Sequence, residues 1–343
     1  MTTSGPFRIT LVPSAHSFIT DGETNLLEAA LSAGFVLPYG CRNGACGACK
    51  AKVVEGLVDH GDATATALTT ADRAAGMALL CCARPLADIT LECHEVRSVN
   101  DIPVKTLPCR VQKIERLAED VILLALKLPV NERLQFLAGQ YLEFLLKDGR
   151  RRAFSIANAP HADSLIELHI RLVADGEFTR HVFHDMKEKD ILRLRGPLGT
   201  FFLREDSTKP LIFVAGGTGF APLKSIIEHT LHNAIRRPLT LYWGARTCSG
   251  LYLDELPARW AAEQAHIRYV PVLSEPVAGD DWSGRTGLVH QAVLRDHPDL
   301  SAFQVYACGA PAMIDAARHD FIAAGLPVEE FFADAFTFSS TPG

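Results

Sequence analysis

Tyr39-Gly-Cys-Arg-Asn-Gly-Ala-Cys-Gly-Ala-Cys-Lys50 carries Cys41, Cys46 and Cys49, and Leu79-Leu-Cys-Cys-Ala-Arg-Pro85 offers a fourth thiol at Cys81 or Cys82. The C-x4-C-x2-C…C spacing is that of a plant-type [2Fe–2S] cluster, a one-electron carrier. Four thiolates must converge on two irons while backbone amides turn toward the sulfurs. Gly40, Gly44 and Gly47 supply the backbone freedom for that wrapping. A structural zinc site usually takes two C-x2–4-C pairs, and only one short pair exists here. The nine cysteines are odd in number, three of them crowd into one loop, and no secretory signal precedes them. A disulfide framework is therefore disfavoured, and cysteine as a ligand fits better. Spacing alone does not choose between Cys81 and Cys82.

A chain of 343 residues, 48% of them hydrophobic, is long enough for two or three domains with their own cores. The net charge of −6 comes without a basic patch or tail, which argues against nucleic acid and anionic membrane surfaces as partners. Met1 to Phe18 lacks a cationic start and an apolar block, so it reads as a strand and not as a signal. The most apolar run, Val121 to Val130, is interrupted by Lys127 and is too short to span a bilayer. The expectation is a soluble cytoplasmic protein, read as a monomer.

Three modules follow one another. In residues 1–98, Phe7 to Val12 alternates like a strand, and Asn25 with Glu28 forms a capping-box signature before Leu26, Leu27, Ala30 and Leu31. Gly34 ends that helix, Lys52 to Gly56 and Ile89 to Cys93 read as strands, and Thr69-Thr-Ala-Asp72 opens a further helix. This order, with the cysteine loop between helix and strand, resembles a plant-type ferredoxin domain of β-grasp fold. In that family the fourth ligand follows an apolar run such as Ala78-Leu79-Leu80, which selects Cys81 and leaves Cys82 as a small filler or backup thiol.

A connector with Asn100, Pro103 and Pro108 leads to residues 104–205, where strand-like runs recur at Cys109–Arg116, Val121–Leu128, Gln140–Leu146, Arg152–Ile156, Leu165–Leu172 and Asp190–Leu194. Such spacing suggests a six-stranded antiparallel barrel. Arg152-Ala-Phe-Ser155 resembles the Arg-x-Tyr/Phe-Ser/Thr flavin motif of the ferredoxin-NADP reductase superfamily. A strand places Arg152 and Phe154 on one face, the cation for a pyrophosphate and the ring for the flavin plane. The resemblance puts Ser155 near flavin N5. Gly176, Phe178 and Thr179 open the helical stretch Arg180 to Met186, whose free amides suit a phosphate. His169 and Arg171 stand where the family contacts the flavin ribityl and adenosine portion; a solvated strand face is the other reading. Gly196-Pro-Leu-Gly199 matches the turn that closes this barrel in relatives.

Residues 207–343 alternate strand and helix. Leu211 to Val214 is a buried-strand run followed by Ala215-Gly-Gly-Thr-Gly219 and the helix Ala221 to Leu231, with Pro222 in its first turn. This is not the Rossmann glycine spacing. Gly216, Gly217, Thr218, Gly219 and Pro222 resemble the Gly-Gly-x-Gly-x-x-Pro of the superfamily's nicotinamide domain, a parallel-sheet α/β fold. Two more strand ends, at Gly244-Ala-Arg246 and at Cys308-Gly-Ala-Pro-Ala-Met313, supply ligand-side loops. The resemblance places Cys308 and Gly309 beside the nicotinamide; a bare cysteine there reads rather as an inert buried thiol, and only the surrounding motif reverses that reading. Phe331 to Phe338 resembles the tail whose ring covers the flavin, with Phe336 preferred over Phe338.

Together the modules resemble single-chain reductases of bacterial oxygenase systems, and also CDP-6-deoxy-glucoseen reductases. A nicotinamide gives a hydride, a [2Fe–2S] cluster takes one electron, and a flavin must stand between them. The implied order is NAD(P)H to FAD to [2Fe–2S] to a separate protein acceptor, such as a terminal oxygenase or an iron–sulfur dehydratase. Plant-type clusters lie near roughly −400 mV, low enough to reduce many iron centres. NADH is favoured over NADPH because Leu273-Ser-Glu-Pro276 carries a carboxylate where relatives that select NADPH place a cation; Arg246 and Arg285 keep the choice open. Ser155 and Cys308 are the residues expected at the hydride-transfer centre. His181 and His184 receive no catalytic role. The alternatives are a reductase that releases free reduced flavin and a non-enzymatic redox-sensing module.

Overall fold

A computed structural model describes residues 5–35, 37, 44, 49–65, 67–93, 102–277 and 281–336. The expected ligands Cys41 and Cys46, and Phe338, lie outside the described residues.

The N-terminal module is built from β1 (Phe7–Val12), β2 (Ser17–Thr20), α1 (Leu26–Ser32), β3 (Lys50–Glu55), β4 (Val58–Asp59), α2 (Thr70–Ala74), β5 (Met77–Leu79), β6 (Arg84–Pro85) and β7 (Ile89–Glu92). Its main sheet runs β2-β1-β7-β3-β5, and β4 pairs with β6. Asn25 caps α1 by accepting from the Glu28 amide at 2.9 Å. The reciprocal capping box is at α2, between Thr69 and Asp72. Helix α1 buries Leu26, Leu27, Ala29 and Ala30 in the core that also holds Cys49 and Cys81.

The middle module contains β8 (Lys105–Ala118), β9 (Val121–Lys127), β10 (Tyr141–Leu145), β11 (Arg151–Ser155), β12 (Ile166–Arg171), α3 (Glu177–His184) and β13 (Ile191–Leu198). They form one six-stranded sheet in the order β11-β10-β13-β8-β9-β12, with antiparallel pairing of β8 with β9, β9 with β12 and β10 with β11. An antiparallel bridge between Ile156 and Leu168 brings the end of β11 to β12, the opposite edge strand.

The last module contains β14 (Leu211–Gly216), α4 (Phe220–His232), β15 (Leu239–Ala245), α5 (Glu255–Glu263), β16 (Ile267–Leu273), β17 (Arg285–Thr286), α6 (Val289–Asp296), β18 (Gln304–Gly309), α7 (Pro311–Ala323) and β19 (Phe331–Ala335). All five pairings in the sheet β17-β16-β15-β14-β18-β19 are parallel. Both faces are covered, as a parallel sheet requires. Leu211, Phe213 and Ala215 share a core with α4 and α5, while Ile212 and Val214 pack with α6 and α7. The strand order reverses between β14 and β18, so the crevice beyond their C-terminal ends is the place where such sheets take ligands.

Two compact units divide the chain. One comprises Met1–Cys109, Leu128–Leu137 and Arg195–Leu198; the other comprises Arg110–Lys127, Ala138–Leu194 and Gly199–Gly343.

Candidate functional site

Cys49 enters β3 and Cys81 leaves β5, and their sulfurs lie 3.3 Å apart. That is well beyond the roughly 2.05 Å of a disulfide bond. The Cys49 thiol donates to Cys81, and with a hydrogen bond from the Gly44 backbone and a contact with Cys82 it pulls the Cys81 pKa down to about 6, against the effect of burial. Two of the expected thiols thus converge, and the lowering of Cys81 favours the thiolate form that ligates iron, so the residues present fit a cluster. Cys82 Sγ sits 3.7 Å from Cys81 Sγ and packs on Gly44, where an added Cβ would come within 2.6 Å of it. Among the described residues no three His, Cys, Asp or Glu side chains converge as a metal site.

On β11, Arg152 and Phe154 share a face as alternate residues of the strand. The Arg152 guanidinium donates to the Arg151 carbonyl at 2.8 Å and is half-buried. Phe154 leans on Phe144 and Phe178, with centroids 5.8 and 5.6 Å away, and Phe178 is itself buried. Phe178 therefore supports the Phe154 ring from within the core. Gly176 is the N-cap of α3, and the Thr179 hydroxyl ties the turn together by accepting from Val173 N at 3.1 Å and donating to Gly176 O at 3.0 Å.

Ser155, Cys308 and Asp334 meet at one point. Parallel pairing of β18 and β19 sets Cys308 opposite Asp334, and Ser155 Oγ and Cys308 Sγ approach Asp334 Oδ2 at 3.5 and 3.9 Å. Burial raises the Asp334 carboxyl above its usual range and the Cys308 thiol well above its own. The Phe336 amide donates to Gly309 O at 2.9 Å, holding the tail beside Cys308. Asp334 is absent from the residues singled out by sequence, because only the register of β19 on β18 brings it to Cys308.

The glycine loop after β14 is tight for two physical reasons. Gly217 has φ +53°, where an added Cβ would come within 2.6 Å of Arg171 Nη1. A Cβ at Gly219 would overlap the Cys308 carbonyl. Trp243 Nε1 donates to Gly217 O at 2.9 Å, and its ring stacks on Phe220 at 4.0 Å. Thr218 lies in the same turn, Gly216 abuts Met313, and Pro222 is buried in the first turn of α4.

The outward face of β12 packs against the last module. Glu167 lies 3.7 Å from Lys224, His169 Nδ1 is 2.9 Å from Tyr252 Oη, and Arg171 reaches Gly217. His169 is fully buried, and burial together with the Lys224 charge holds its pKa down to about 3, so it is neutral; its Nε2 has no hydrogen-bond partner. Arg171 Nε is 3.2 Å from Asp120 Oδ2 without hydrogen-bond alignment, and its Nε and Nη2 atoms are buried without hydrogen-bond partners. Arg171 therefore presents two buried donor nitrogens beside the positive-φ Gly217 that precedes α4. His169 thus meets Tyr252 of the last module, while Arg171 lies between Asp120 of its own module and Gly217 of the last.

At the far ends of β15 and β16, Arg246 and Glu275 form an exposed pair at 3.4 Å. Arg285 is committed elsewhere, to Asp296 at 2.5 Å and to the Ala292 carbonyl at 3.3 Å. His181 lies 3.6 Å from Asp185 on the outer side of α3.

Comparison with known proteins agrees with this geometry. The family model for a 2Fe-2S iron-sulfur cluster binding domain matches residues 9–86, that for an oxidoreductase FAD-binding domain matches 108–203, and that for an oxidoreductase NAD-binding domain matches 213–319. The chain is 46% identical to the CDP-6-deoxy-L-threo-D-glycero-4-hexulose-3-dehydrase reductase of Yersinia pestis, over 96% of its own length and 98% of the relative's. It is 36% identical to the reductase component 1 of terephthalate 1,2-dioxygenase from Comamonas sp, covering 92% and 93% of the two chains. The crystal structure of the Amycolatopsis cytochrome P450 reductase GcoB superposes with a TM-score of 0.66 at 33% identity, covering 97% of this chain and all of that one. The chain belongs to the single-chain ferredoxin–NAD(P)H reductases of the ferredoxin-NADP reductase superfamily. It is an NAD(P)H-dependent flavin iron–sulfur oxidoreductase that takes a [2Fe–2S] cluster, FAD and NAD(P)H and passes electrons to a separate protein. Among the described residues no helix is long and apolar enough to cross a membrane.

Proposed function

We propose that electrons run from NADH through FAD to the [2Fe–2S] cluster and leave for a metalloenzyme partner, a terminal oxygenase component or an iron–sulfur dehydratase. The observation that carries this order is the meeting of Ser155, Cys308 and Asp334 beside the glycine loop, in a unit that does not contain Cys49 and Cys81. When bound, the flavin accepts hydride and releases single electrons.

The chain's own residues have separate tasks in this reading. Arg152 holds the flavin pyrophosphate and Phe154 lines its ring, with Gly176 and Thr179 shaping the α3 end beside it. Gly216 to Gly219 and Arg171 hold the pyrophosphate of the nicotinamide nucleotide, while His169 acts through Tyr252. Cys308 and Gly309 floor the nicotinamide, Phe336 covers the flavin, and Ser155 hydrogen-bonds near N5. Asp334, its carboxyl pKa raised by burial, stands next to that hydroxyl. Cys41, Cys46, Cys49 and Cys81 hold the cluster. Glu275 disfavours a 2′-phosphate, and Arg285, held by Asp296, does not compensate. The domain boundaries near 98 and 205, a monomeric state, a cytoplasmic location and the lack of nucleic-acid and membrane partners belong to the same reading.

Anaerobic NADH titration of the purified protein, with iron and flavin quantified, tests the order. About two irons and one flavin per chain, with both chromophores bleaching, are expected. Cys46→Ser should abolish cytochrome c reduction while NADH still reduces the flavin. Loss of both would refute the order.

A further inference from the structure

Gln135 is buried, at 5% exposure, in a segment that the family comparison assigns to the flavin domain. Its Nε2 donates at 2.9 Å to the carbonyl of Leu37, 98 positions away. Leu37 is fully buried in the core of the ferredoxin module and stands two positions before Tyr39, where the cysteine loop begins. Segment Leu128–Leu137 belongs to the same compact unit as Met1–Cys109, although it is covalently continuous with β9 and with β10, whose strands lie in the flavin-module sheet. Leu134 and Phe136 flank Gln135 and are also buried, at 2% and 1% exposure.

Apolar packing by the two neighbours has no preferred register, whereas an amide donated to one buried carbonyl does. A glutamine is also an expensive residue to bury unless its polar atoms are used. We propose that Gln135 is a positioning residue for the electron step from flavin to cluster, fixing the start of the cluster loop to the loop that joins β9 and β10. Ser155, Cys308 and Asp334 all belong to the other compact unit, so its loss should separate the two halves of the reaction. This inference rests on the electron order proposed above.

Gln135→Met keeps the volume and removes the donor; Gln135→Ser leaves room for a water to bridge. In stopped flow with NADH, Gln135→Met should reduce its flavin within about twofold of the parent rate while its cluster is reduced about tenfold more slowly, the shift expected when one buried carbonyl loses its donor. Gln135→Ser should fall between. Hydrogen exchange of the metal-free full-length variants should rise in peptides covering residues 33–50 and stay unchanged in peptides covering 150–160. Unchanged cluster reduction, equal slowing of both steps, or failure of both variants to fold with flavin and iron would overturn the proposal. If the parent protein itself reduces its cluster without first reducing its flavin, it is the electron order that fails.

Discussion

Ser155 Oγ donates to Asp334 Oδ2 at 3.5 Å, joining β11 to β19 across 179 positions of chain, and the thiol of Cys308 approaches the same oxygen at 3.9 Å. Burial raises the Asp334 pKa, so the folded chain holds a proton there that the unfolded chain releases earlier. The favourable contribution of the protonated carboxyl is complete below the ordinary aspartate value near 4 and disappears as pH rises through the raised folded value. Asp334→Asn should therefore raise Tm at pH 7 to 8, with the gain vanishing near pH 4; a pH series of melting curves checks this. Asp334→Ala should also slow flavin reduction by NADH up to about tenfold, the effect of losing one hydrogen bond to Ser155.

Arg171 has buried donors beside Gly217. Arg171→Ala should raise the Kd for NADH roughly ten- to hundredfold, the value of a charge-assisted hydrogen bond, while flavin content stays at the parent level. Loss of flavin with NADH affinity retained would instead place the guanidinium on the flavin. Nucleotide titration and flavin release on denaturation distinguish the two.

Cys81 faces Cys49, and Cys82 faces Gly44. Cys82→Ser should retain about two irons per chain, and Cys81→Ser should lose most of them. Iron and acid-labile sulfide assays read this directly. The reverse pattern would make Cys82 the ligand.

The exposed Glu275–Arg246 pair contributes little to stability, as exposed pairs generally do. Its effect should be on nucleotide choice, because a like charge opposite a 2′-phosphate is repulsive. Glu275→Gln should lower the KM for NADPH about tenfold and leave kcat with NADH unchanged. Steady-state kinetics with both nucleotides test it.

The modular order was legible because its signals are local. Cysteine spacing, the period-two runs of the middle module and the glycine turn between Val214 and Phe220 each lie within a few residues. The role of β12 was not legible. Its sequence singles out His169 and Arg171 on one face, yet the same alternation suits solvent or flavin. The structure lays that face against Lys224, Tyr252 and Gly217.

By itself the sequence determined the cofactor classes and the succession of three modules, since ligand spacing and hydrophobic period are properties of neighbouring residues. Tertiary structure alone decided that Asp334 joins Ser155 and Cys308 and that Gln135 holds Leu37. Those outcomes depend on strand register and on packing between segments up to 179 positions apart. A one-residue slip of β19 would turn Asp334 to the opposite face of the sheet, and no local pattern records which register the packing selects.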